Sequence, residues 1–134
     1  MGAAIAVILL IAVISFATLR HGHVLSDQLA RGIAEAAASA GPTTVAERPI
    51  VLTSNRLLPQ ILYDDVGTYA WVSADDHALP GYAAQLAAAG AHSAVLVLPT
   101  GSDVPKLLSD AGWTIRAADP SAVYDIFVIE RTEP

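Results

Sequence analysis

The sequence predicts an α/β fold: a three-layer, Rossmann-like sandwich with a mostly parallel sheet and a C-terminal antiparallel strand pair, preceded by one transmembrane helix. Three observations carry this expectation. From Gly2 to Leu19 no side chain is ionisable, and every charged residue lies from Arg20 onward. After that segment, short apolar runs alternate with stretches of helical spacing, the order that builds a parallel sheet with right-handed crossovers. Two of those helical stretches also close alike, as Leu86-Ala-Ala-Ala-Gly90 and Leu108-Ser-Asp-Ala-Gly112, each ahead of a strand.

The first element is the apolar segment GAAIAVILLIAVISFATL. As a helix it spans about 27 Å at about 1.5 Å per residue, close to the roughly 30 Å hydrocarbon core of a bilayer. Ile5, Val7, Ile8, Leu9, Leu10, Ile11, Val13, Ile14 and Phe16 all favour insertion and outweigh the single hydroxyl of Ser15. Arg20 then reaches the headgroups. A cleaved signal peptide would have small residues such as Ser15 and Ala17 near its end, but also a basic start that is missing here. The expected partner of Gly2–Leu19 is therefore the lipid bilayer, with room for other transmembrane helices of a larger membrane protein. The plan of the chain is an anchor over 1–20, a juxtamembrane helix and linker over 21–48, and the α/β domain over 49–134.

His21-Gly22-His23 is expected to loosen the chain after the anchor. Val24–Ala40 then places Leu25, Leu29, Ile33, Ala36 and Ala40 on one helical face, with Asp27, Arg31 and Glu35 turned away. Gly41-Pro42 ends that helix. Ile50–Thr53 is a short strand. Ser54-Asn55-Arg56 leads into Leu57, Leu58, Ile61 and Leu62 at helical spacing, with Pro59 in the first turn. Tyr69–Ser73 is the next strand, followed by a helix from Pro80 to Ala89 that Gly90 stops. Ser93–Leu98 is a continuous apolar run, as in a strand covered on both faces. Within it Val95 and Val97 are expected to be buried on opposite faces. Thr100-Gly101-Ser102-Asp103 leads into the helix Val104–Ala111. Trp113–Ala117 and Val123–Arg131 close the chain as a strand pair around Asp119-Pro120-Ser121.

Composition narrows the function. With 134 residues there is room for one domain, and the net charge is −6 with Lys106 the only lysine. No basic cluster exists to neutralise a row of phosphates, so nucleic acid is not an expected partner. The chain has no cysteine, which excludes disulfides, thiolate metal sites and thiol nucleophiles.

In an open parallel sheet, ligands bind beyond the carboxyl ends of the strands. The segments expected there supply Ser54, Asn55 and Arg56, then Asp75 and Asp76, then Thr100 and Ser102 as candidate ligand-binding residues. A phosphate would sit at a helix N-terminus beside Arg56, and Asp75 would accept from a sugar hydroxyl. The same residue types are ordinary helix caps, and Thr53-Ser54-Asn55-Arg56 lacks the glycines of a dinucleotide site. No catalytic residue and no cofactor is implied. No Gly-x-Ser-x-Gly elbow is present. Asp75-Asp76-His77, and His21-Gly22-His23 with Asp27, each lack a clear third partner for a metal. Asp64-Asp65 reads as a solvated turn.

The run Arg48–Leu62, the helix-glycine-strand passage Leu86–Leu98 and the closing Tyr124–Glu130 resemble the C-terminal soluble domain of polytopic bacterial membrane glycosyltransferases of the GT-C type. The resemblance covers nearly the whole chain and is one of layout, without a diagnostic motif. It implies an extracytoplasmic domain, where Arg20 and Arg31 taken alone favour a cytoplasmic one. It also implies no transfer chemistry in this chain, because that family's catalytic carboxylates lie in loops between earlier membrane helices. The expected function is a membrane-tethered, non-catalytic accessory domain of a glycosyltransferase-like protein. The alternative is a small-molecule or nucleotide-sugar binding domain using the strand-end residues.

Overall fold

The computed structural model describes residues 2–40, 48–62, 67–120 and 123–131, with the backbone alone for 2–4, 16–24 and 119–120. Along the chain run α1 (Gly2–Ala40), β1 (Ile50–Thr53), α2 (Leu58–Ile61), β2 (Ala70–Ser73), α3 (Leu79–Ala88), β3 (Ser93–Pro99), α4 (Val104–Asp110), β4 (Thr114–Pro120) and β5 (Tyr124–Glu130).

The five strands form one sheet in the order β2-β1-β3-β5-β4. β1 pairs in parallel with β2 and with β3, whereas β5 pairs antiparallel with both β3 and β4. The sheet is therefore mixed, which corrects the expectation of a mostly parallel one. The antiparallel pairing of the last two strands is present, but β5 also inserts between β3 and β4. A short connection after β4 reverses the chain, and the free edge of β3 receives the returning strand along its full seven residues.

Helices cover both faces. Leu29, Ile33 and Ala36 of α1, with Leu58 and Leu62 around α2, pack on Val51, Val95, Val97, Ile126 and Val128. On the other side Leu79 and Ala83 of α3 and Val104 and Leu108 of α4 pack on Ile50, Leu52, Leu96, Leu98 and Ile129. Side chains two apart on a strand share a face. Accordingly Val95 and Val97 are both fully buried but on the same side, with Leu96 on the other.

α3 and α4 end alike. The Ala91 N–H donates to the Leu86 carbonyl at 2.9 Å and the Trp113 N–H to the Leu108 carbonyl at 3.0 Å. Gly90 and Gly112 have φ of 97° and 89°. These are Schellman closures, in which the left-handed residue favours glycine and the apolar residues on either side of it meet. The repeated Leu…Gly pattern in the sequence encodes them.

α1 differs most from expectation. The backbone is helical without interruption from Gly2 to Ala40, so the loosening at His21-Gly22-His23 is absent. One interior glycine costs a helix only about 1 kcal/mol, a small term in a helix of 39 residues. Among the described residues no helix is long and apolar enough to cross a membrane, so the expected transmembrane helix over 1–20 finds no support here. The large apolar side chains from Ile5 to Ile14 are nonetheless exposed, between 56% and 66%.

Candidate functional site: the carboxyl edge of the sheet

β1 leads through α2 on one face to β2, while β3 leads through α4 on the other face to β4. Their carboxyl ends are adjacent, so the chain departs in opposite directions at the crevice between them. Such a switch point is where open α/β sheets bind ligands. All three predicted segments do meet along this edge.

Their polar groups are largely taken up by one another. The buried Thr53 hydroxyl accepts from the Asn55 N–H at 3.1 Å. The Asn55 Oδ1 accepts from the Leu57 N–H at 2.9 Å, and its Nδ2 donates to the Tyr124 hydroxyl. Tyr124 opposes Pro99, so this bond reaches across the end of β3 and bridges the crevice. The Ser102 hydroxyl donates to Asp76 Oδ2 at 3.4 Å and accepts from the Val104 N–H at 3.3 Å. The Thr100 N–H donates to the Val123 carbonyl at 3.2 Å. Ser54 is half-buried and lies in the turn after β1.

Arg56 pairs with Asp75 at 3.2 Å, with both side chains more than two-thirds exposed. A pair this open contributes at most about 1 kcal/mol and is screened by salt. It faces water, not an enclosed pocket. The residues at the helix starts themselves, Leu57, Ala78 and Asp103, make no side-chain cap. Capping falls instead to Asn55 and Ser102, each bonding the backbone two residues on.

Among the described residues no group of three or more His, Asp or Glu side chains is placed to hold a metal ion. The side chains of His21 and His23, and the turn at Asp64-Asp65, lie outside the described residues.

A concavity at this edge lies apart from these residues. Leu25, Ser26, Gln28 and Leu29 of α1, Ile61 of α2, and Val123 with Tyr124 at the start of β5 line an open groove of about 150 Å³. Small-molecule pockets usually fall between about 300 and 1,000 Å³. Its lining is mainly apolar and includes none of the predicted site residues. Sequence reasoning missed Val123 and Tyr124 here, because their position depends on β5 lying beside β3. Leu25 and Ile61 were recognised only as helix-face residues.

No family model matches the chain, and comparison with curated proteins and with solved structures returns no match.

Proposed function

We propose that the chain is a membrane-tethered, non-catalytic accessory domain, held to the bilayer by the N-terminal part of α1. The observation that supports this is the exposure of Ile5, Val7, Ile8, Leu9, Leu10, Ile11, Val13 and Ile14 all round one helix. A helix that is apolar on every side belongs inside a large core or a membrane. Covering these side chains is worth on the order of 10 kcal/mol in all. The described side chains from Ile5 to Ser15 account for about 16 Å of helix. The sequence continues without a charge to Leu19, which brings the apolar length near the hydrocarbon thickness.

The non-catalytic half of the reading draws on the carboxyl edge, where hydroxyl, amide and carboxylate groups are engaged with one another. The resemblance to glycosyltransferase C-terminal domains suggests a role beside a transfer step on the extracytoplasmic side, and not in that step.

Alkaline carbonate extraction tests the tether. The full chain stays with the membrane pellet, and a chain lacking residues 1–19 appears folded in the supernatant. Full-length, unprocessed protein in the supernatant overturns the tether. Calorimetric titration of the truncated chain with nucleotides and sugar nucleotides tests the rest: micromolar binding lost on Arg56→Ala would replace the accessory reading with the binding one.

A further inference from the structure

The direction of α1 has a consequence for which side of the domain meets the membrane. Leu25 and Leu29 lie beside Val123 and Tyr124 at the carboxyl edge. Further along, Gly32 abuts Ile126, and the Ser39 carbonyl accepts from Arg116. Ile126 pairs with Val97 near the end of β3, and Arg116 lies two residues from the start of β4. α1 therefore runs from the carboxyl edge toward the amino edge, and its apolar beginning departs from the carboxyl edge.

Exposed apolar side chains gather at that departure point. Outside α1, the exposed large apolar residues among those described are Leu57, Ile61, Tyr82, Leu107 and Val123. Ile61 and Val123 line the groove with Leu25, and Leu57 stands one helical turn before Ile61 on the same face. Tyr82 and Leu107 belong to α3 and α4, the other layer. Of the five, Leu107 alone comes near the opposite edge, one turn before Ala111 on α4, and it has no exposed large apolar companion there among the described residues.

We infer that Leu25, Leu57, Ile61 and Val123 form a lipid-facing rim, by which the carboxyl edge of the sheet rests on the bilayer surface. This rests on the tethered reading. If the hydrocarbon core ends near Leu19, six further residues of helix put Leu25 about 9 Å beyond it. The interfacial zone is roughly 5–8 Å thick on each side, so the Leu25 backbone lies just outside it, and its side chain, which leans toward the helix N-terminus, reaches back into it. The occupant is lipid and not a small ligand, because the groove is small, open and mainly apolar. The ion pair of Arg56 with Asp75 and the bond of Ser102 to Asp76 lie toward β2, α3 and α4, away from the groove.

The absence of cysteine makes single-site labelling direct. The full chain with Leu57→Cys or Val123→Cys, and with Ala111→Cys at the far edge, is labelled with a small fluorophore. Each is reconstituted in phosphatidylcholine vesicles containing a lipid with a nitroxide near the headgroup end of its acyl chain. A zwitterionic lipid suits a chain of net charge −6. Val13→Cys reports the tether with a nitroxide deeper in the acyl chain. The expected result is several-fold stronger quenching at positions 57 and 123 than at 111, with strong quenching at 13. Quenching at 13 but equally weak signals at 57, 123 and 111 overturns the rim and leaves the tether. Loss of quenching at all four positions overturns both.

Discussion

Where α1 crosses β5, a Cβ built on Gly32 would meet the Ile126 Cδ1 at 2.6 Å. Ile126 is itself buried at 2% exposure, so its side chain has little room to turn away. Two effects compete at this position. Alanine in a helix interior gains about 1 kcal/mol over glycine, while forcing a methyl into a packed core costs about 1–3 kcal/mol. The clash is expected to win, so Gly32→Ala should lower stability by about 1 kcal/mol. Ile126→Val removes the offending methyl at a cost of about 0.5–1.5 kcal/mol. In that background Gly32→Ala should become stabilising, a reversal that a urea-denaturation double-mutant cycle detects. Simple additivity would mean that close packing is not what keeps the glycine there. The sequence offered no hint of this, since Gly32 lies between Arg31 and Ile33 and the helical face was defined by its larger apolar residues. The glycines after α3 and α4 were legible for the opposite reason, because their role is local and each carries its leucine partner nearby in sequence.

Among the elements, β3 was the easiest to read and β5 the hardest to place. Ala94–Leu98 is apolar at every position, and that demands cover on both faces whatever its neighbours are. Tyr124–Glu130 also reads as a strand, but its apolar pattern does not say which edge it joins. That is decided by hydrogen-bond pairing with β3, from Ser93 with Glu130 to Pro99 with Tyr124. The candidate site was legible to the same degree. Its three loops follow from strand-helix alternation, whereas the Asn55–Tyr124 bridge and the groove require the position of β5. A shared feature of the helix starts was read only in part, through Pro59 and Pro80. Leu58-Pro59, Leu79-Pro80 and Val104-Pro105 each put a fully buried residue before a proline in the first turn, where the missing N–H costs nothing. The central position of β3 gives a direct test. Val95→Asp places a carboxylate under α1 and Leu96→Asp places one under α3 and α4. Each should cost about 4 kcal/mol or more, since a buried charge without a partner is among the most severe single changes. Near-native urea midpoints for either variant would show that one face of β3 is open to water.

At the scale of the whole molecule, α1 belongs to two parts that the sequence pattern divides. A boundary before Pro49 looks natural, because the strand-helix alternation begins there. The packing argues differently. Leu29, Ile33 and Ala36 are buried at 4%, 0% and 1% exposure, and they form the cover over Val51, Val95, Val97, Ile126 and Val128. Removing α1 loses the burial of its own face and exposes the strands beneath it. Each large apolar side chain so uncovered forfeits about 1.5–3 kcal/mol, and whole domains have only about 5–15 kcal/mol to lose. Truncation within the helix and truncation after it should therefore have opposite outcomes. A chain beginning at Arg20 keeps every residue of the packed face and should unfold in one cooperative transition. A chain beginning at Pro49 should show no cooperative thermal transition and should bind a hydrophobic dye, because one face of its sheet is bare. Adding a peptide of residues 24–40 in excess should restore the transition, since the missing interactions lie on that one helix. Cooperative unfolding of the shorter chain alone, at a midpoint matching that of the longer one, would show that α1 is an attachment and not a layer of the fold.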